Sequence, residues 1–92
     1  RRDGMKRGQI VFSKAGRDKS HFLVVLSVQG NRCTVADGRR RRVEKPKCKN
    51  IKHLGATNGS IAEEDLFSNR LVQKKLASFS EHDDSERRHL NV

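Results

Sequence analysis

Apolar positions in this chain recur with a period of two through its N-terminal half and with a helical period only near the C-terminus. Gln9 to Ser13 predicts a first strand, with Ile10 and Phe12 on one face and Val11 on the other. A polar bend follows, from Ser13 to Ser20, in which Gly16 supplies a positive φ where the turn requires it. The second strand is long. Phe22, Val24, Leu26 and Val28 share one face, and Leu23 and Val25 share the other. A strand apolar on both faces suits a small barrel, in which one strand bends and serves both halves of the core. Gly30-Asn31 predicts a hairpin turn into a third strand, Arg32 to Ala36, with Cys33 and Val35 inward and Thr34 outward.

Asp37-Gly38 is a second turn signal. The pattern then predicts a fourth strand, Arg40 to Lys45, with Val43 as its lone apolar residue and Pro46 at its end. Charge and proline mark it as an edge strand. Lys49 to Leu54 predicts a short fifth strand, with Ile51 placed to plug the barrel, and Gly55 to Gly59 reads as a linker. Ser60 with Glu63 forms a capping box, so one helix is expected to begin there. Glu63, Glu64 and Asp65 suit its N-terminus and Lys74 and Lys75 its far end. Its apolar stripe is Ala62, Leu66, Val72, Leu76 and Phe79, widened by Phe67 and Leu71. Ser80 to Val92 has no pattern and is expected to be a flexible tail. The expected organisation is mainly β: a five-stranded barrel over 5–54, a C-terminal α-helix over 60–79 and a tail over 80–92.

Composition narrows this further. Ninety-two residues make one small domain, and with 33% hydrophobic residues the core must be small and draw on all four Phe. No apolar run is long enough to cross a bilayer and the N-terminus lacks a secretory segment, so a soluble, cytoplasmic protein away from membranes is expected. Cys33 and Cys48 have no metal-site spacing and none of the four His sits at ligand spacing, so two reduced thiols, no metal and no cofactor are expected. The motifs of phosphate loops, zinc proteases and serine hydrolases are absent, and the expectation is a protein that is not an enzyme.

Charge is the strongest signal. The net charge is +10 and its distribution is uneven. Residues 1–61 carry 16 Lys and Arg against 4 Asp and Glu, a balance of +12, while residues 62–92 carry 5 against 7, a balance of −2. Two clusters concentrate it: Lys14, Arg17 and Lys19 in the bend, and Arg39, Arg40, Arg41, Arg42, Lys45, Lys47, Lys49 and Lys52 against the single acid Glu44. Four consecutive arginines cannot all be buried, because each buried guanidinium needs a partner. Their planar forks match phosphate oxygens in pairs. A solubilising edge would account for Arg39 to Arg42 alone, but the second cluster continues through Lys52. Trp and Tyr are absent, which argues against base stacking as the dominant contact and for recognition of a nucleic-acid backbone and its shape.

The run Gly8-Gln-Ile-Val-Phe-Ser-Lys-Ala-Gly16-Arg-Asp-Lys19 resembles a KOW motif. With Val35-Ala-Asp-Gly38, Val43-Glu-Lys-Pro46 and Lys49-Asn-Ile-Lys-His-Leu54 in order after it, residues 5–54 resemble the small bacterial KOW-domain RNA-binding proteins. Those are related to KOW-bearing large-subunit ribosomal proteins of archaea and eukaryotes. The resemblance implies an SH3-like barrel that binds RNA in or near the ribosome, with Ser13, Lys14, Gly16, Arg17 and Lys19 on its RNA-contacting loop. Ser20 stands where the motif usually has a glycine; serine takes a positive φ poorly, so the loop is expected to be shaped differently there.

The functional expectation is a non-catalytic protein that contacts structured RNA, ribosomal RNA foremost, through the bend and the arginine-rich segment, with ribosomal proteins as further partners through the helix. A protein-interaction module of the translation or transcription machinery is the rival; the lack of Trp and Tyr counts against readers of proline-rich or methylated peptides. Duplex DNA ranks third, since no basic helix face is available for a major groove.

Overall fold

A computed structural model describes residues 5–16 and 19–91 of the chain, and for residues 82–91 the backbone alone. Five antiparallel strands form one sheet: β1 (Gln9–Ser13), β2 (Phe22–Gln29), β3 (Arg32–Ala36), β4 (Lys47–Asn50) and β5 (Leu54–Ser60), in the order β4-β3-β2-β1-β5. One helix, α1 (Asn69–Asn91), follows. The chain is thus mainly β with a C-terminal helix.

The first three strands lie where alternation predicts them. Ile10 pairs with Val24 and Phe12 with Phe22 across β1 and β2. The two-faced character of β2 has a direct outcome in packing. On one face, Ile10, Val24, Leu26 and Ala36 pack with Ile61, Leu66, Val72 and Leu76, so this face carries the helix. On the other, Val11, Leu23, Val25, Cys33, Val35 and Leu54 form a second cluster, against which Met5 and Ile51 pack. The β2–β3 register shifts between Val25 and Ser27, a bulge that bends β2 between its two duties. Burial pushes the Cys33 thiol up from its usual range. Phe22 stands at the centre of an aromatic row, 5.4 Å from Phe12 and 5.3 Å from Phe79 between ring centroids.

Beyond Ala36 the structure departs from the sequence reading. Arg40 to Lys45 is a loop, not the expected fourth strand; β4 is Lys47–Asn50. Asp37 explains the loop. Its Oδ1 accepts from the backbone N–H of both Arg39 (2.8 Å) and Arg41 (2.9 Å), and its own N–H donates to the Arg41 carbonyl at 2.8 Å. That local net competes with a ladder for the same backbone groups. The expected fifth strand divides into the end of β4, a 3-10 turn (Ile51–His53) and the start of β5. The expected linker, Gly55 to Gly59, is strand β5, paired along β1 from Ser13–Leu54 to Gln9–Ser60. Gly59 is required there for space: a β-carbon on it would lie 2.5 Å from the Phe79 ring.

The sheet is open. Its edges are β4 and β5, and no ladder joins them among the described residues. β4 ends opposite Arg32, beside the β2–β3 hairpin, whereas β5 begins opposite Ser13, beside the bend, and one 3-10 turn separates them. The sheet therefore extends to Ser60, past the expected boundary at residue 54.

The helix starts later than the capping-box pattern predicts. Ser60 is held in the β1–β5 ladder opposite Gln9, and Glu63 pairs with Arg7 at 2.9 Å, so neither is available to cap. Glu63–Asp65 forms a separate 3-10 turn. Ser68 is the cap: its Oγ accepts from Leu71 N–H at 3.2 Å. At the other end, α1 continues through the segment expected to be a tail, as far as Asn91. Of the expected stripe, Val72, Leu76 and Phe79 meet the sheet, while Phe67 is 72% exposed. No helix is long and apolar enough to cross a membrane among the described residues.

Candidate nucleic-acid interface

The pairings Phe12–Phe22 and Val24–Ala36 place the end of β1, the start of β2 and the end of β3 side by side. The β1–β2 bend and the β3–β4 loop therefore leave the sheet at the same end. The 3-10 turn before β5 joins them there, because Lys14 N–H donates to the His53 carbonyl at 2.9 Å.

Within the bend the expected residues have different roles. Ser13 is fully buried, so it is not a surface contact. Its Oγ donates to the Ala15 carbonyl at 3.0 Å, its N–H donates to His21 and its carbonyl accepts from Ser20 N–H. It is the framework of the bend. Lys14, Gly16 and Lys19 are exposed, and Gly16 has φ +80°. Arg17 lies outside the described residues. Ser20 has φ +73°, the left-handed region that serine adopts poorly. The flanking bonds, Ser20 N–H to Ser13 and Ser13 N–H to His21, impose the geometry.

The second cluster sits on two elements. Arg39, Arg40, Arg42 and Lys45 are exposed on the β3–β4 loop, and Arg41 is half-buried. Lys47 and Lys49 lie on edge strand β4, and Lys52 is exposed on the 3-10 turn. Arg40, Arg41, Arg42, Lys45 and Lys47 gather with Pro46 around one concavity of about 260 Å³. Arg39 instead faces the bend, sharing a hollow of about 370 Å³ with Ser20 and His21 against the helix residues Gln73 and Ala77. Lys49 reaches the bend from the other side: its Nζ lies 3.5 Å from where a β-carbon on Gly16 would stand. The two clusters are thus adjacent at both flanks of the bend.

The arginine loop is also fixed to the helix. Gln73 Nε2 donates to the Gly38 carbonyl at 2.7 Å. Asn69 uses both ends of its amide: Oδ1 accepts from Val43 N–H at 2.8 Å and Nδ2 donates to Glu44 Oε1 at 2.8 Å. Arg42 Nε donates to Glu44 Oε2 at 2.8 Å. The bonds from Arg42 and Asn69 hold the Glu44 carboxyl down at about 2. Two of these connections, through Asn69 and Gln73, involve polar helix residues that an apolar-stripe reading passes over.

Comparison with known families finds no family model that matches the chain, and comparison with curated proteins finds no match.

Proposed function

We propose that this protein is a non-catalytic RNA-binding protein that holds the phosphate backbone of structured RNA, ribosomal RNA foremost, and that its bent sheet is a variant of the SH3-like, KOW-type barrel. The observation that carries the reading is the concavity lined by Arg40, Arg41, Arg42, Lys45 and Lys47, with no carboxylate among its lining residues. A concave surface of one charge sign raises the local concentration of the opposite ion, and arginine forks donate to phosphate oxygens in pairs. Lys14, Lys19 and Lys52 extend the positive surface, and Arg39 and Lys49 connect it to the bend. The RNA chemistry suits a cytoplasmic protein working in or near the ribosome.

Backbone contact has a measurable signature. If about five phosphates are neutralised, log K falls against log salt concentration with a slope of about −3.5 to −4.5. Titrating a hairpin RNA between low and physiological salt measures it; a slope near zero refutes the reading. Replacing Arg40 and Arg42 together with Ala lowers affinity by a similar factor for RNAs of different sequence, since phosphate contacts carry no sequence information. Loss confined to one sequence would mean base recognition instead.

A further inference from the structure

Phe67 stands apart from the other three phenylalanines. Phe12, Phe22 and Phe79 form the aromatic row of the core, whereas Phe67 is 72% exposed in a chain with few apolar residues to spare. It borders a groove of about 440 Å³ shared with Arg7, Leu26, Val43, Pro46 and Leu66. Arg7 is held in place there. Its Nε donates to Glu63 at 2.9 Å, one terminal nitrogen donates to the Leu26 carbonyl at 2.8 Å, and its guanidinium carbon lies 5.6 Å from the Phe67 ring centroid.

This groove adjoins the cationic concavity, because Pro46 lines both. A slot that is apolar over most of its lining, with an exposed ring, therefore opens beside the cationic surface. Glu44 lines the groove itself but its carboxylate is engaged by Arg42 and Asn69, and that of Glu63 is engaged by Arg7. A ligand that fits both parts has a flat, weakly polar ring joined to an anion, which describes a nucleotide. Bases that are splayed out of a helix stack on aromatic rings and on guanidinium planes.

We infer that the Phe67–Arg7 groove takes one unpaired nucleobase of a bound RNA, stacked on Phe67, while the adjoining phosphate rests on the Arg40–Lys47 surface. The inference rests on the RNA-binding reading above and adds to it a preference for RNA carrying a bulged or looped-out base.

The chain has no Trp, so Phe67→Trp installs a single fluorescent reporter at the site. The probes are a hairpin RNA with one bulged adenosine and the same hairpin fully paired. The expected result is tighter binding of the bulged hairpin, by about fivefold or more, from stacking of one base. Phe67→Trp emission is quenched by the bulged hairpin and not by the paired one. Phe67→Ala and Phe67→Leu bind both hairpins equally, with the salt slope unchanged. Exposure of Phe67 means both variants melt close to the parent protein. Unquenched emission, or a preference that survives Phe67→Ala, overturns the inference and leaves backbone binding intact if both hairpins still bind with a steep salt slope. Failure of both hairpins to bind overturns the RNA reading and this inference with it. A blue shift that grows with protein concentration in the absence of RNA assigns the groove to a second copy of the chain and overturns the inference as well.

Discussion

Gly38 is the residue on which the arginine loop and the helix meet most closely, and replacing it with Ala tests that apposition. Gly38 has φ +80°, and a β-carbon on it would stand 2.3 Å from the Asn69 carbonyl oxygen and 3.0 Å from Gln73 Cγ. Two costs follow, and they can be separated. Holding Ala in the left-handed region costs about 1–2 kcal/mol, partly offset by about 0.4–1 kcal/mol from the stiffer unfolded chain, for a net cost near 1 kcal/mol. The second cost is steric. Ordinary contact begins at 3.4 Å, so loop and helix must separate by about 1 Å, and the obstacle is backbone that no side-chain rotation can remove. The separation strains two hydrogen bonds, Gln73 to the Gly38 carbonyl and Val43 N–H to Asn69, each contributing about 0.5–1.5 kcal/mol. The sum is about 3 kcal/mol. Gly30 provides the control, with φ +61° and nothing within 4 Å of its β-carbon position, so Gly30→Ala incurs only the first cost. Urea unfolding should therefore place Gly38→Ala about 2 kcal/mol below Gly30→Ala with unchanged m-values. In thermal unfolding each kcal/mol moves the midpoint by about 4–8 °C for a domain of this size. Equal losses for the two variants, within about 0.5 kcal/mol, would refute the close approach of loop and helix.

Two further predictions address single residues. Ser20→Gly should stabilise the protein by up to about 1 kcal/mol, because the strain of φ +73° is relieved against a smaller entropic loss; destabilisation in urea would mean that the serine makes up for its conformation elsewhere. Glu44 has a folded-state pKa depressed to about 2 from an ordinary value of 4.5, so its stabilising contribution is complete above about 4.5 and is lost as pH falls through about 2. In Glu44→Gln the loss of stability over that window should be shallower than in the parent, and the Glu44 carboxyl followed by NMR should titrate near 2; a midpoint near 4.5 would show that Arg42 and Asn69 do not hold it in solution.

Legibility in the sequence followed the local apolar pattern. The strands β1 to β3 were readable because each carries a short run of β-branched, aliphatic or aromatic residues and Gly30-Asn31 marks the turn between β2 and β3. The two-faced apolar run of β2 also foretold two core clusters. β4 and β5 were not readable. Lys47–Asn50 contains one Cys and no aliphatic side chain, and of β5 only Leu54 is buried, so both are held mainly by backbone pairing to neighbours that do carry the pattern. The Ser60–Glu63 spacing misled because both residues are used by distant partners, Gln9 and Arg7. At the candidate site, the exposure of most of the lysines and arginines followed from charge alone. The inward position of Ser13 and the outward position of Phe67 did not, since Ser13 is fixed by bonds within the bend and by its pairing with Leu54, and Phe67 lies against Arg7.

The Asn69 amide has a consequence for how the molecule responds as a whole. It is the first residue of α1, and it holds Val43 and Glu44 of the arginine loop at once. A loop position and a helix position joined this way form a single thermodynamic unit, and coupling between two such parts is reciprocal. On the proposed function, an anion that gripped the loop would steady the docked helix by as much free energy as the docked helix lent to the grip. Binding at Arg39 to Arg42 would then be read from amide exchange in the buried turn around Val72 and Leu76, at residues away from the proposed contact.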